Sequence, residues 1–598
     1  MFGLFPIIMN LFSRMYTSAI LCGLILLFVR SSLAGDKVVK TPVVKTRTGP
    51  IVGMVQNKVG EDLNYFFGIP YAEPPVGELR FQRPRPVTTW TDVLEATELA
   101  PRCLQPRRSL QYVREKSSED CLYLNIVTPK DSLSGKNPKY PVMISILHKN
   151  YIEGSGNDEI YLKSEFVKRQ NIILVTLNSR LNIFGYATTR EKDGIELNCG
   201  LWDENFAIRW VNSNIEFFGG DPNKITLRGQ GSGAANVRAH VLSPYARDIF
   251  QNAIVEDQAF EVEGEQRLER VSNSTMITLE RIGCAPLKNR LECVQDKDAL
   301  QIASSVPFHW SAFAPVYEPN YIPKAKSDEE QIAQANDVNL LQGFATDYSS
   351  FPVSFNQEVY VKAEFTYQDA LEVLEKYVEP GKVGKIAEIF IGDPRKAYSI
   401  QKLQKGLVRF LNEVGPVVLY YESLLTAEAE NKKKGVYTYE FNHIPQSNDY
   451  QACDVVRELG VCFRAAQSFV FGEPYSNYWY HTDEDRKMSD IMMHIYGSFI
   501  RTGKPELLNG KGWPNWNDPK SKKANVATVI LDAKSGGIID RSNPDFYLDN
   551  FDLVRNSLLP KFHPYDPNVI DVQLQVNRRS SNTGFLYRAI QALAYVDY

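Results

Sequence analysis

The chain has 598 residues, 43% of them hydrophobic and 23% charged, with a formal net charge of −4. That balance is the one a soluble globular protein shows, and large α/β enzymes reach this length as one unit. The slightly acidic total excludes a general nucleic-acid binder, which needs a basic surface to neutralise phosphates.

In chain order, the first feature is Arg14, then the uncharged stretch 15–29, Arg30, and the small residues Ser32 and Ala34 around Leu33. A basic flank, an apolar core and a small-x-small site read as a signal peptide over residues 1–34. Fifteen residues span only about 22 Å as helix, short of a bilayer core of roughly 30 Å. The reading is therefore a secreted, extracellular chain with no transmembrane span after cleavage. Residues 35–562 read as one large domain, and 563–598 as a polar C-terminal tail.

Buried strands are predicted at 141–147, 172–177 and 225–227, each a short β-branched or apolar run. Between the last two, residues 201–218 carry apolar side chains at helical spacing, stopped by Gly219-Gly220-Asp221-Pro222. Strand and helix in alternation predict an α/β fold with a central, mostly parallel sheet. Asn273-Ser274-Thr275 is a glycosylation sequon. Cysteines outside the signal fall into the close pairs Cys103/Cys121, Cys284/Cys293 and Cys453/Cys462, with Cys199 left over. The close spacing suggests small disulfide-closed loops in an exported protein, but spacing leaves connectivity open. There is no CxxC pair and no HExxH, so neither a metal nor a cofactor is expected. Residues 485–500 are amphipathic, a pattern more often core than interface. Lys432-Lys433-Lys434 and the stretch 326–331 read as solvated loops.

Several motifs carry a resemblance. They are Phe67-Gly68-Ile69-Pro70-Tyr71-Ala72 with Leu79-Arg80-Phe81, Glu119-Asp120-Cys121-Leu122-Tyr123-Leu124-Asn125, and Asn178-Ser179-Arg180-Leu181 with Phe184-Gly185. A fourth is Gly200-Leu201-Trp202-Asp203, continuing to Phe218-Gly219-Gly220-Asp221-Pro222. Together they resemble the type-B carboxylesterases and cholinesterases over about residues 38–562. The resemblance implies the α/β-hydrolase fold, and disulfides Cys103–Cys121 and Cys284–Cys293.

It also places the catalytic positions. In this fold the nucleophile is the serine of G-x-S-x-G, at the tip of a sharp strand-to-helix turn. Here the turn reads Gly229-Gln230-Gly231-Ser232-Gly233, so the serine position holds Gly231. Ser232 falls one residue later, where a shift redirects the side chain. It reads as a serine helping to satisfy free N–H groups at a helix start. The family's acid position holds Tyr348, and Asp347 beside it is no substitute. The family's histidine position holds Phe463. The oxyanion loop, glycine-rich in the family so that N–H groups can approach developing charge, reads Leu147-His148-Lys149-Asn150-Tyr151.

Core motifs kept and chemical positions changed imply a non-catalytic member. The resemblance includes inert extracellular adhesion proteins, the neuroligins, neurotactin, gliotactin and glutactin. With no C-terminal span in the sequence, a secreted glutactin-like insect protein fits best. The partner implied is an extracellular or cell-surface protein, and a homodimer stays open. Two alternatives remain: a residual ester hydrolase using Ser232, and an extracellular carrier of a hydrophobic ligand.

Overall fold

The computed structural model describes residues 39–58, 61–105, 116–136, 139–158, 162, 165–257, 264–307, 312–324, 335–347, 365–414, 434–445, 460–462, 464–476, 480–510, 512–515 and 528–540. Their main sheet has twelve strands. These are β1 (Val39–Lys40), β2 (Met54–Lys58), β3 (Glu61–Pro70), β4 (Tyr123–Pro129), β5 (Tyr140–Ile146) and β6 (Ile173–Leu177). They continue as β7 (Gly220–Gln230), β8 (Asn252–Glu256), β9 (Asn339–Ala345), β10 (Val436–Phe441), β11 (Thr528–Leu531) and β12 (Ile538–Asp540). Across the sheet the order is β1-β2-β3-β4-β6-β5-β7-β8-β9-β10-β11-β12. From β6 to β11 every pairing is parallel. The pairings from β1 to β6, and that of β12, are antiparallel. This is the predicted α/β-hydrolase class.

Period-two alternation sorts each central strand between two cores. Val142, Ile144 and Ile146 pack on one face with Ala207, Ile208 and Val211 of α1 (Cys199–Asn214), and with Ala234 and Val237 of α2 (Ser232–Leu242). Met143 points to the other face. Two further helices matter here, α3 (Gly264–Arg281) and α4 (Asp483–Thr502). Ile491, Met492, Ile495 and Phe499 of α4 cover Met143's face. The amphipathic stretch 485–500 is thus core. Thr482 and Asp485 close a capping box that starts it.

The predicted boundaries shift in ways the backbone explains. Strand 225–227 is the middle of the longer β7, because Gly220 already pairs with Tyr140. Helix 201–218 starts at Cys199 and is α only to Asn214. Ile215–Phe218 tightens to a 3₁₀ turn ended by Gly219 at φ 85°.

Cys103 is bonded to Cys121 and Cys284 to Cys293, while Cys199 is a buried free thiol. Cys462 is also disulfide-bonded, and Cys453 lies outside the described residues. The signal segment 1–34, the tail 563–598, the stretch 326–331, Lys432 and Lys433 also lie outside them, whereas Lys434 is exposed. Asn273 is exposed on α3, with Ser274 and Thr275 turned inward. Among the described residues no helix is long and apolar enough to cross a membrane.

Candidate active site

In an open parallel sheet, ligand sites form at the carboxyl ends of the strands. The sharpest feature there is the step from β7 to α2. Gly231 makes the whole turn, at φ 56° and ψ −129°. Its N–H donates to the Glu256 carbonyl at 2.9 Å, and its carbonyl accepts from Ala235 at 3.1 Å. The flanking glycines are sterically required. A Cβ on Gly229 would lie 2.2 Å from the Gly233 carbonyl oxygen, and one on Gly233 would lie 2.5 Å from that of Ile146.

The φ, ψ pair of Gly231 is one that L-residues adopt at a cost of about 1–3 kcal/mol. Gly231→Ser is therefore expected to lower stability by about that amount in a urea melt. Ester hydrolysis should stay at background in the same preparation.

Ser232 does not serve the helix start, contrary to expectation. Its Oγ lies 2.8 Å from His148 Nδ1 and donates to the His148 carbonyl at 3.1 Å. No side chain caps α2 at Gly231. The physical reason is proximity: Gly233 packs on Ile146, so the β5–β6 connection with His148 sits directly over the first turn of α2. His148 Nε2 in turn lies 3.0 Å from Asn236 Nδ2 and 3.5 Å from Glu204 Oε1.

Glu204, on α1, is the anchor of this buried chain. Asn236 Nδ2 reaches both its oxygens at 2.9 and 3.1 Å, Ser179 Oγ donates at 3.2 Å, and His240 Nε2 lies at 2.9 Å. His240 continues to the Tyr321 hydroxyl at 2.6 Å. Burial alone would raise the Glu204 carboxyl, but hydrogen bonds from His148 and His240 outweigh it and hold it down to about 2. Serine, histidine and glutamate thus stand in a row, sealed in the interior. Ser232 is 2%, His148 4% and Glu204 0% exposed.

The loop over the turn keeps a glycine-like path without glycine. Asn150 and Tyr151 have φ of 51° and 60°, the left-handed region. The Lys149 N–H is taken within the loop by the Glu153 carbonyl at 2.6 Å. The Tyr151 ring packs on His148 and Tyr186, with centroids 5.1 and 5.2 Å away. Burial lowers the Lys149 ammonium below its ordinary value.

Tyr348 and Phe463 lie outside the described residues, but their flanks are placed. Asp347 accepts the Val461 N–H at 2.8 Å, and its own N–H donates to the Val461 carbonyl at 3.0 Å. Asp347 thus ties two loops together. Asp257, which sequence reasoning missed, accepts from Gln230 Nε2 at 2.8 Å, Ala345 N at 2.9 Å and Arg464 N at 3.0 Å. The turn and the approaches to both other positions are therefore brought together around one carboxylate. The signal for it was Glu256-Asp257 ending the buried apolar run Ala253-Ile254-Val255, since strand C-termini face such sites.

Residues 40–541 match the carboxylesterase family. The chain is 26% identical over 543 residues to acetylcholinesterase-1 of Trittame loki, covering 86% of this chain and 95% of that one. It is 28% identical over 528 residues to human cocaine esterase (84% and 90% covered). It is 26% identical over 536 residues to juvenile hormone esterase of Tribolium castaneum (82% and 88% covered). The chain belongs to the carboxylesterase family.

Proposed function

We propose that this carboxylesterase-family chain is a secreted, non-catalytic protein that works by extracellular protein binding or cell adhesion, like the inert glutactin branch. One observation carries the reading: the apex of the strand-to-helix turn, where the relatives named as esterases would need a nucleophile, is Gly231. Tyr348 and Phe463 at the acid and histidine positions, and side chains in place of the oxyanion glycines, support it. Secretion is supported by the signal-like residues 1–34, two disulfides and the exposed Asn273 of the sequon. On this reading residues 35–562 form the binding domain and 563–598 its tail. The kept turn and the two cores supply a rigid scaffold whose rim loops meet the partner.

A second reading is favoured by the 2.8 Å contact of Ser232 Oγ with His148 Nδ1: Ser232 as nucleophile, His148 as base and Glu204 as orienting acid. Its weakness is access, because an acyl group cannot reach a serine that is 2% exposed without opening the loop above it.

Labelling with a fluorophosphonate probe separates the two. The non-catalytic reading expects no label on the purified secreted chain, and saturable binding to an extracellular protein in a screen run beside it. Label that disappears in Ser232→Ala would establish the second reading and sink the first.

A further inference from the structure

We infer that Asp257 is a proton-operated latch, which joins three chain segments around the Gly231 turn and changes its bonding to Gln230 and Arg464 as the pH falls. The inference concerns the chain's own loops and stands whether or not the rim binds a partner. Asp257 directly follows β8 with φ 57° and is 2% exposed. Its Oδ2 accepts from the Gln230 side chain, the residue before the turn, and from the Arg464 N–H, the residue after the histidine position. Its Oδ1 accepts from Ala345, three residues before the acid position. Its own N–H donates to the Gly343 carbonyl at 2.8 Å. Three chain segments distant in sequence therefore share one carboxylate.

Gln230 gives this contact two states. Its Oε1 is buried without a hydrogen-bond partner, a costly condition in a native interior. Turning the amide by half a revolution exchanges Nε2 for Oε1 at the same place. The ionised Asp257 accepts from the amide nitrogen, and the protonated Asp257 donates its O–H to the amide oxygen. In the second state Oδ1 still serves Ala345. The Arg464 N–H is left with a neutral O–H oxygen in place of a charged acceptor, and charge-assisted hydrogen bonds are the stronger kind. Acid thus loosens the Arg464 main chain from the floor of the turn while the other two ties remain.

The charged surroundings agree. Glu256, next in the chain, is buried and paired with Arg228 of β7, and accepts the Tyr439 hydroxyl of β10. Tyr496 of α4 adds a hydroxyl to that group. Asp347 lies on the other side of Val461, and Lys149 interacts electrostatically with Arg464. Burial first, and Glu256 second, push the Asp257 carboxyl up to about 6, against the three hydrogen bonds. A folded value above the unfolded one means that this group's stabilisation is complete below the unfolded value. It is lost as pH rises through about 6.

The test is amide hydrogen exchange and urea unfolding of the full secreted chain between pH 7.5 and 4, beside Asp257→Asn. In the wild type, exchange of the segment containing Arg464, corrected for intrinsic rate, should rise about tenfold through the step near 6. Asp257→Asn should show the acid level of exchange throughout. The wild-type unfolding constant should change relative to the variant by up to ~100-fold across the window, the wild type gaining stability toward acid. Identical pH profiles for the two proteins overturn the latch. If Asp257→Asn does not fold, Gln230→Met serves instead. Losing the amide donor should move the wild-type midpoint upward, and an unmoved midpoint likewise overturns the latch.

Discussion

Glu204→Ala is expected to destabilise the fold by about 3–5 kcal/mol, the range for breaking a buried charged network from one side. Glu204 is wholly buried and takes hydrogen bonds from Asn236 and Ser179, with His240 Nε2 at 2.9 Å. Alanine leaves Ser179 Oγ and His240 Nε2 without this acceptor, Asn236 keeping only His148 Nε2 and the Tyr186 hydroxyl, and each buried group so abandoned costs roughly 1–3 kcal/mol. The pH dependence identifies the cause. The Glu204 carboxyl is held down to about 2 in the fold, below its ordinary value. Its contribution is therefore present above the unfolded value and lost as pH falls toward 2, worth ~3 kcal/mol. Urea melts between pH 7 and 2.5 should show a steep acid loss in the wild type and a shallower one in the variant. Parallel curves would mean that Glu204 is not the anchor of the chain.

Asp203→Ala should be as damaging, again about 3–5 kcal/mol, through a different interaction. Arg180 grips Asp203 with one edge of the guanidinium, Nε at 2.8 Å and Nη2 at 2.7 Å, and with its main-chain N–H at 3.0 Å. Asp203 is 0% and Arg180 3% exposed. Removing the carboxylate strands a guanidinium that cannot discharge by losing its proton. Asp203→Asn, which keeps shape and one acceptor, should lose less. A full-sized loss in Ala with almost none in Asn would point to packing rather than charge.

These two sites explain why so much of the fold was legible. The sequence motifs that carry the family resemblance meet each other in space. Asn178-Ser179-Arg180 grips Asp203-Glu204, Arg80 grips Glu119 at 2.6 Å, and Asn125 Oδ1 accepts the Gly68 N–H at 3.0 Å. Each motif is half of a buried polar clamp, and burial leaves such residues little freedom of type. Strands showed through because parallel strands covered on both faces need unbroken apolar runs.

The site was legible only where backbone geometry dictates residue type. Glycines 229, 231 and 233 mark the turn, since close approach and a left-handed φ demand them. The partner of Ser232 was not legible, because a hydroxyl bonds whatever the tertiary fold brings near, here a histidine 84 positions away. Nor was Asp257, whose three partners come from three chain segments distant in sequence. The Asn150–Tyr151 backbone also defeated pattern reading, as Tyr151 adopts the left-handed conformation with a bulky side chain that disfavours it.

The most direct measurement is steady-state hydrolysis of a short-chain aryl ester by the purified chain, with Gly231→Ser and Ser232→Ala measured beside it. Removing a nucleophile alone can leave rates ~10³–10⁴ above water when the oxyanion hole survives. Here the Lys149 N–H is already bonded within its loop, which takes one such donor away from a developing charge. The account predicts rates at the uncatalysed level for all three proteins. Saturable wild-type turnover that Ser232→Ala abolishes would contradict it.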